Sequence, residues 1–215
     1  MTLGVNCEIY DVLAGAGRVR RFAAGDVLIA QDERGAHIFY IKSGQATAMA
    51  YGINGERTWL GRFGAGDFVG DMSMLSDLPV PYEVCADTDL DVLAVPFAAM
   101  EQLMDAQAGL SKAVAGGLAA RLHTAMQRLS EAFTLSATGR VCAELSRLSV
   151  PVGSDPDRHI IRPGPVFTEL ALRVSSTRET VSRTVSRLQK SGVVSRAPGA
   201  LIIESPERLS DEINR

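Results

Sequence analysis

Apolar and polar positions along the chain fall into two textures. From about residue 18 to 95, short runs rich in β-branched and aromatic residues are punctuated by glycine turns. The runs are Val27-Leu28-Ile29, Ile38-Phe39-Tyr40-Ile41, Ala46 to Tyr51, Thr58-Trp59-Leu60 and Leu90 to Val95. Between them stand Gly25-Asp26, Ser43-Gly44, Asn54-Gly55 and Gly64-Ala65-Gly66-Asp67. Asn-Gly between apolar stretches predicts a tight hairpin, because both residues tolerate positive φ. Many short strands about ten residues apart predict an all-β sandwich or barrel here.

Beyond Pro96 the apolar steps lengthen to three or four, the helical period. Met100, Leu103, Leu110, Val114, Leu118, Leu122, Met126, Leu129 and Phe133 predict one short and one long helix, with Gly109 near the junction. Each of Gly116 and Gly117 costs about 1 kcal/mol against alanine in an exposed helix interior, yet lets another helix backbone come close. The stripe from Leu110 to Phe133 is read as a dimerisation face, packing on its own domain being the plain alternative. A further helix is predicted over 138–149, with Val141, Leu145 and Leu148 on one face. Val150 to Pro156 reads as a loop, and His159-Ile160-Ile161 as a short strand. Val193-Val194-Ser195 and Leu201-Ile202-Ile203 read as a hairpin around Pro198-Gly199.

The segment from Phe167 to Val193 carries the most chemistry. Thr168 opens a short helix over Glu169 to Val174 with Leu170, Ala171 and Val174 inward. Ser175-Ser176 interrupts it, and Thr177 caps a second helix from Arg178 to Gln189, with Thr180 as the third residue of the cap. Val181, Thr184, Val185 and Leu188 give the second helix a buried face. Arg178, Glu179, Ser182, Arg183, Ser186 and Arg187 fall largely on the other side. Two helices joined by a short turn form a helix-turn-helix, whose second helix enters the DNA major groove by its first residues. Arginine there can donate twice to guanine and glutamate can accept from cytosine, each good contact discriminating by about 1–3 kcal/mol. The plain alternative is a solvated helix with Glu179 and Arg183 paired at i,i+4.

Charge agrees with this placement. The chain carries 22 Lys+Arg against 25 Asp+Glu, but from Thr138 onward the count is 12 against 9. An acidic first part joined to a basic second part puts any phosphate contact in the second. Cys7, Cys85 and Cys142 are too far apart for CxxC or a zinc pattern, and no metal site is expected. No apolar run is long enough to span a bilayer. Met1 to Gly17 lacks the basic start and apolar run of a secretory signal. The expected compartment is the cytoplasm, with no membrane partner.

Arg178-Glu179-Thr180-Val181-Ser182-Arg183 follows Glu169-Leu170-Ala171 and precedes Leu188-Gln189-Lys190-Ser191-Gly192-Val193. With Thr138-Gly139-Arg140-Val141 upstream, this resembles the cAMP receptor protein/FNR (CRP/FNR) family of bacterial transcription regulators over roughly residues 18 to 205. The resemblance implies an α+β fold: an N-terminal β-roll (a double-stranded β-helix, cyclic-nucleotide-binding-like) over 1–108, a long dimerisation helix over 109–136, and a C-terminal winged helix-turn-helix over 137–215. It implies a homodimer that reads a palindromic, TGTGA-like site on double-stranded DNA. Arg178, Glu179 and Arg183 would meet bases, while Thr177, Thr180 and Lys190 would meet phosphates. RNA polymerase is an open further partner. The family usually has glycine where this chain has Ser175; a left-handed backbone there would strain serine by roughly 1 kcal/mol.

Gly64 to Met72 resembles the start of the family's phosphate-binding cassette, a glycine turn opening a short helix whose N–H groups can meet an anion. A plain pair of β-turns is the alternative. In cAMP-binding members a glutamate follows the cassette glycine; here Asp71 follows Gly70 and precedes Met72. The family's phosphate-holding arginine and its neighbour fall on Pro81 and Tyr82, and its adenine-contacting helix pair falls on Ala125 and Met126. Proline offers neither charge nor N–H, so binding of cAMP in the usual manner is not expected. Another nucleotide, or no ligand, stays open, as does a conventional cyclic-nucleotide-gated regulator with a remodelled pocket. Arg57 and Arg62 are candidates for a remodelled anion site or plain surface charges. An iron–sulfur centre needs four thiolates, and a cupin-type enzyme needs clustered ligands that His37 lacks nearby. The chain is therefore not expected to be an enzyme.

Overall fold

The computed structural model describes residues 2–153 and 155–214, with side chains described over 8–153 and 157–214. Cys7 therefore lies outside the described side chains. Two compact units divide inside the long helix, one up to residue 125 and one from 126 onward.

The first unit runs α1 (Thr2–Ala14), β1 (Arg18–Phe22), β2 (Val27–Ile29), β3 (His37–Ser43), β4 (Ala46–Tyr51), β5 (Arg57–Phe63), β6 (Phe68–Val69), α2 (Asp71–Ser76), β7 (Glu83–Ala86), β8 (Leu90–Pro96), α3 (Phe97–Ala106) and most of α4 (Ala108–Thr134). Two antiparallel four-stranded sheets, β1-β8-β3-β6 and β2-β7-β4-β5, form its body. Phe22, Phe39, Ile41 and Val92 of one sheet share a core with Ala46, Phe63 and Val84 of the other. Successive side chains on a strand point to opposite faces. Ile38, Tyr40, Leu93 and Val95 accordingly form a second core with Leu13, Met100, Leu110 and Val114 of α1, α3 and α4. Burial on both faces is why Ile38 to Ile41 reads as an unbroken apolar run.

The long helix departs from expectation in two places. Gly109 lies inside its first turn, and Gln107 alone separates α3 from α4. The apolar stripe also divides. Leu110 and Val114 are buried in their own unit, whereas Leu122, Met126, Leu129 and Phe133 are 64%, 58%, 52% and 82% exposed. Only the later part is available to a second helix, because the sheet already covers the earlier part.

The second unit holds the end of α4, then α5 (Ala137–Leu148), β9 (Val150–Val152), β10 (Asp155–Ile161), α6 (Phe167–Arg173), α7 (Arg178–Lys190), β11 (Val194–Ala197), β12 (Ala200–Ile203), α8 (Pro206–Asp211) and a 3₁₀ turn (Glu212–Asn214). Its sheet order is β11-β12-β10-β9. The expected loop over Val150 to Pro156 is corrected to a hairpin, β9 turning through Gly153 at φ +57° into β10. Pro151 fits because β9 is an edge strand, where a missing N–H need not break a ladder. Val141, Leu145, Leu170, Val181, Val185 and Ile203 fill the core. A Cβ on Gly139 would stand 2.4 Å from the Ile213 carbonyl oxygen, so Thr138-Gly139-Arg140 needs its glycine.

Candidate functional site

The α6 and α7 helices are joined by a turn at Val174 to Thr177. The Ser176 N–H bonds the Ala171 carbonyl at 2.9 Å and the Ser175 N–H bonds that of Leu172 at 3.3 Å, a Schellman closure that needs a left-handed residue next to the cap. Ser175 supplies it at φ +47°, so the strain foreseen for serine at this position is present. Thr177 then caps α7, its Oγ1 accepting from the Thr180 N–H at 3.2 Å. Val181, Thr184, Val185 and Leu188 are all buried, which fixes the rotation of α7 about its axis.

That rotation presents Arg178, Glu179 and Arg183 to solvent, with Ser182 partly exposed between them; the four line one open groove. The Glu179 carboxyl is held below its ordinary range, first by its own backbone N–H at the helix start, then by the Thr177 hydroxyl, Arg178 and Arg183. It therefore stays an acceptor at neutral pH. Arg183 lies 3.5 Å from the Thr180 hydroxyl, and the Thr177 and Thr180 hydroxyls are 3.1 Å apart. Lys190 is exposed at the far end of the helix. Arg187 leaves this set, pairing at 2.6 Å with Glu212 of the 3₁₀ turn. One supporting residue was not foreseen as part of the turn. Arg140 donates to the carbonyls of Val174 at 2.9 Å, Ser175 at 3.3 Å and Leu135 at 3.0 Å, tying α5 to the turn before the exposed helix. The Arg-after-Gly in Thr138-Gly139-Arg140 was its only signal.

In the β-roll the cassette positions are arranged inward. Gly70 caps α2 at φ +95°, and a Cβ there would lie 2.8 Å from the His37 carbonyl oxygen. Asp71 is 1% exposed. One of its oxygens accepts from the Met72 N–H at 3.0 Å and the other from the Arg121 guanidinium on α4. Arg121 also donates to the Phe68 carbonyl at 3.4 Å and lies 5.3 Å from the centre of the Phe63 ring. One of the N–H groups that open α2, that of Met72, thus faces the chain's own carboxylate. Burial pushes the Asp71 carboxyl above its ordinary range, with Arg121 opposing. Burial and the Asp71 charge push the Tyr82 phenol up.

The positions that the resemblance assigns to the pocket differ in burial. Gly70 and Asp71 are buried and Tyr82 is half-buried, while Pro81, Met72, Ala125 and Met126 are exposed. Arg121 was missed, since nothing in the local pattern marks a cation 50 residues from its carboxylate. Of the two alternative cations, Arg62 is paired with Asp87 at 3.4 Å. Among the described residues no cluster of His, Cys, Asp and Glu is suited to a metal, and no helix is long and apolar enough to cross a membrane.

Comparison with known proteins follows the same two parts. The cyclic nucleotide-binding domain model matches residues 19–107, and the Crp-like helix-turn-helix domain model matches residues 139–212. The chain is 25% identical over 214 residues to a cyclic AMP receptor protein of Thermus thermophilus, covering 97% of this chain and 94% of that one. The fold is like that of the c-di-GMP responsive global regulator CLP of Xanthomonas campestris (21% identity, TM-score 0.77, 92% and 98% of the two chains). It is also like that of a CooA mutant from Carboxydothermus hydrogenoformans (18% identity, TM-score 0.80, 94% and 89%). The match to the cyclic nucleotide-binding domain model followed by the match to the Crp-like helix-turn-helix model, on the fold described above, places this chain in the CRP/FNR family of DNA-binding transcription regulators, not among enzymes.

Proposed function

We propose that the protein acts as a homodimer reading a palindromic, TGTGA-like site on double-stranded DNA without cAMP bound in the family's usual manner. One observation carries this: Arg178, Glu179 and Arg183 stand together in solvent on the first turns of a capped helix whose opposite face is buried. Arg178, Glu179 and Arg183 meet base edges; Thr177, Thr180 and Lys190 meet phosphates, which fix register without carrying sequence information. The exposed stripe Leu122, Met126, Leu129 and Phe133 supports pairing of two long helices. Pairing sets two reading helices about one DNA turn apart, roughly 34 Å. The working division is an effector-type roll over 1–108, a dimerisation helix over 109–136 and a DNA-binding domain over 137–215. Contact with RNA polymerase and a cytoplasmic site of action belong to the same reading.

Selection of bound sequences from a random DNA pool tests it. Enrichment of inverted TGTGA-like half-sites without added nucleotide is the expected result, and no enriched motif overturns the reading. Replacing Met126 by glutamate is expected to yield a monomer by analytical ultracentrifugation.

A second reading, a cyclic-nucleotide-gated regulator with a remodelled pocket, draws on the Thermus thermophilus relative being a cyclic AMP receptor protein. The cradle favours the first reading: Asp71 and Arg121 already satisfy each other, and Pro81 offers no charge to a cyclic phosphate. Titration with cAMP and cGMP separates the two. Saturable binding at micromolar nucleotide establishes the second.

A further inference from the structure

The second unit contains an ionic cluster that belongs neither to the exposed face of α7 nor to the cradle. Glu144, on α5, is 1% exposed. Its carboxylate accepts from Arg128 at 2.9 Å, from Arg173 at 3.3 Å, and from Arg147 on its own helix. Arg147 continues to Glu131 at 2.5 Å, and Arg173 to Glu169 at 2.6 Å. Arg128 and Glu131 lie on the end of α4, beyond residue 126; Glu169 and Arg173 lie on α6. One buried carboxylate thus joins three helices of the same unit.

What this does for α7 follows from the carbonyls at the end of α6. A helix terminus leaves its last four carbonyls without intrahelical partners. The Leu170, Ala171 and Leu172 carbonyls are met by the N–H groups of Val174, Ser176 and Ser175. The next three are met by guanidinium groups. Arg128 donates to the Arg173 carbonyl at 2.8 Å, and Arg140 to those of Val174 and Ser175. The turn that aims α7 is therefore held from outside the helix pair. One of the two arginines holding it rests its other amino group on Glu144.

We propose that Glu144 is a positioning residue for DNA reading. By holding Arg128 and Arg173 it fixes the end of α6, and with it the angle at which α7 presents Arg178, Glu179 and Arg183. Glu144 itself touches no DNA. For stability alone a buried ion cluster is often replaceable by apolar packing, but apolar packing supplies no donor to the turn's carbonyls. The inference rests on α7 being the reading helix.

The test uses full-length E144Q and R128Q, studied at a temperature where circular dichroism shows each folded. Each is expected to lower affinity for the selected operator by about tenfold, as one lost base contact would, while affinity for random-sequence DNA stays nearly constant. L209A opens a cavity in the same core from α8, which packs chiefly on α5, β10 and the 3₁₀ turn, and serves as the comparison. It is expected to lower Tm and leave the operator-to-random ratio unchanged. R128Q keeps the test readable if E144Q does not fold. An unchanged ratio in either folded variant, or an equal fall in L209A, overturns the proposal. A wild-type protein that prefers no sequence removes the DNA-reading assignment, and the proposal with it.

Discussion

On α7, Arg178, Glu179 and Arg183 stand in solvent, whereas in the β-roll the carboxylate of Asp71 is 1% exposed and held by Arg121 and the Met72 N–H. Both sites gather charged groups at the start of a helix, and they treat them oppositely. Buried polar groups in folded proteins are almost always satisfied internally, so those in the cradle have little capacity left for a ligand. The α7 groups keep theirs, because the helix is anchored by other residues: the buried face Val181, Thr184, Val185 and Leu188, and the turn held before it. An outside anion at the cradle would have to displace Asp71 from both of its partners. On the proposed reading, nucleic acid at α7 displaces water and the exposed contacts of Glu179 with Thr177 and of Arg183 with Thr180.

The sharpest way to break this contrast is to strand the buried charge. R121M removes the cation and leaves the Asp71 carboxylate without its partner, which is expected to destabilise the protein by about 3 kcal/mol in denaturant unfolding. The loss should shrink as pH falls. Burial raises the native carboxyl above its ordinary value and Arg121 opposes the shift. Without Arg121 the carboxyl rises further, so between the unfolded and native values the folded variant binds the extra proton and gains more stability with falling pH than the wild type does. A pH-independent loss would contradict the account.

On the exposed side, stability should be nearly untouched while specificity changes. E179A is expected to relax base preference at one or two positions per half-site and to weaken operator binding by about tenfold, measured by sequence selection and fluorescence anisotropy. S175G should stabilise the second unit by about 1 kcal/mol in urea unfolding, since glycine relieves the φ of +47°. Smallest of all, K190A should weaken operator and random DNA evenly and lower the salt slope by about one.

What could be read before the fold was known follows how local each signal is. The buried face Val181, Thr184, Val185, Leu188 and the Thr177 cap are set by residues three or four apart, and the structure has them as the pattern implies. Most of the strands announced themselves through their flanking turns. Strands β1, β6, β7 and β9 did not: in β1 only Phe22 is buried, so backbone pairing with β8 defines it and no alternation records it. The later, exposed stripe of α4 looked continuous with Leu110 and Val114, because period alone does not say which neighbour covers which turn. The Asp71–Arg121 pair, and Arg128 and Arg173 on Glu144, join residues distant in sequence, and their geometry exists only once the helices are packed. Ser175 lies between these cases. Its residue type marked the anomaly, and only the backbone showed the left-handed turn.

The central claim is that the exposed groups of α7 read base sequence. It is tested most directly by measuring operator and random-DNA affinities for wild type and R183A side by side. The wild type is expected to prefer the operator by about a thousandfold or more. In R183A that preference should fall by about tenfold with random-DNA affinity held. Equal losses on both DNAs would contradict base reading by Arg183.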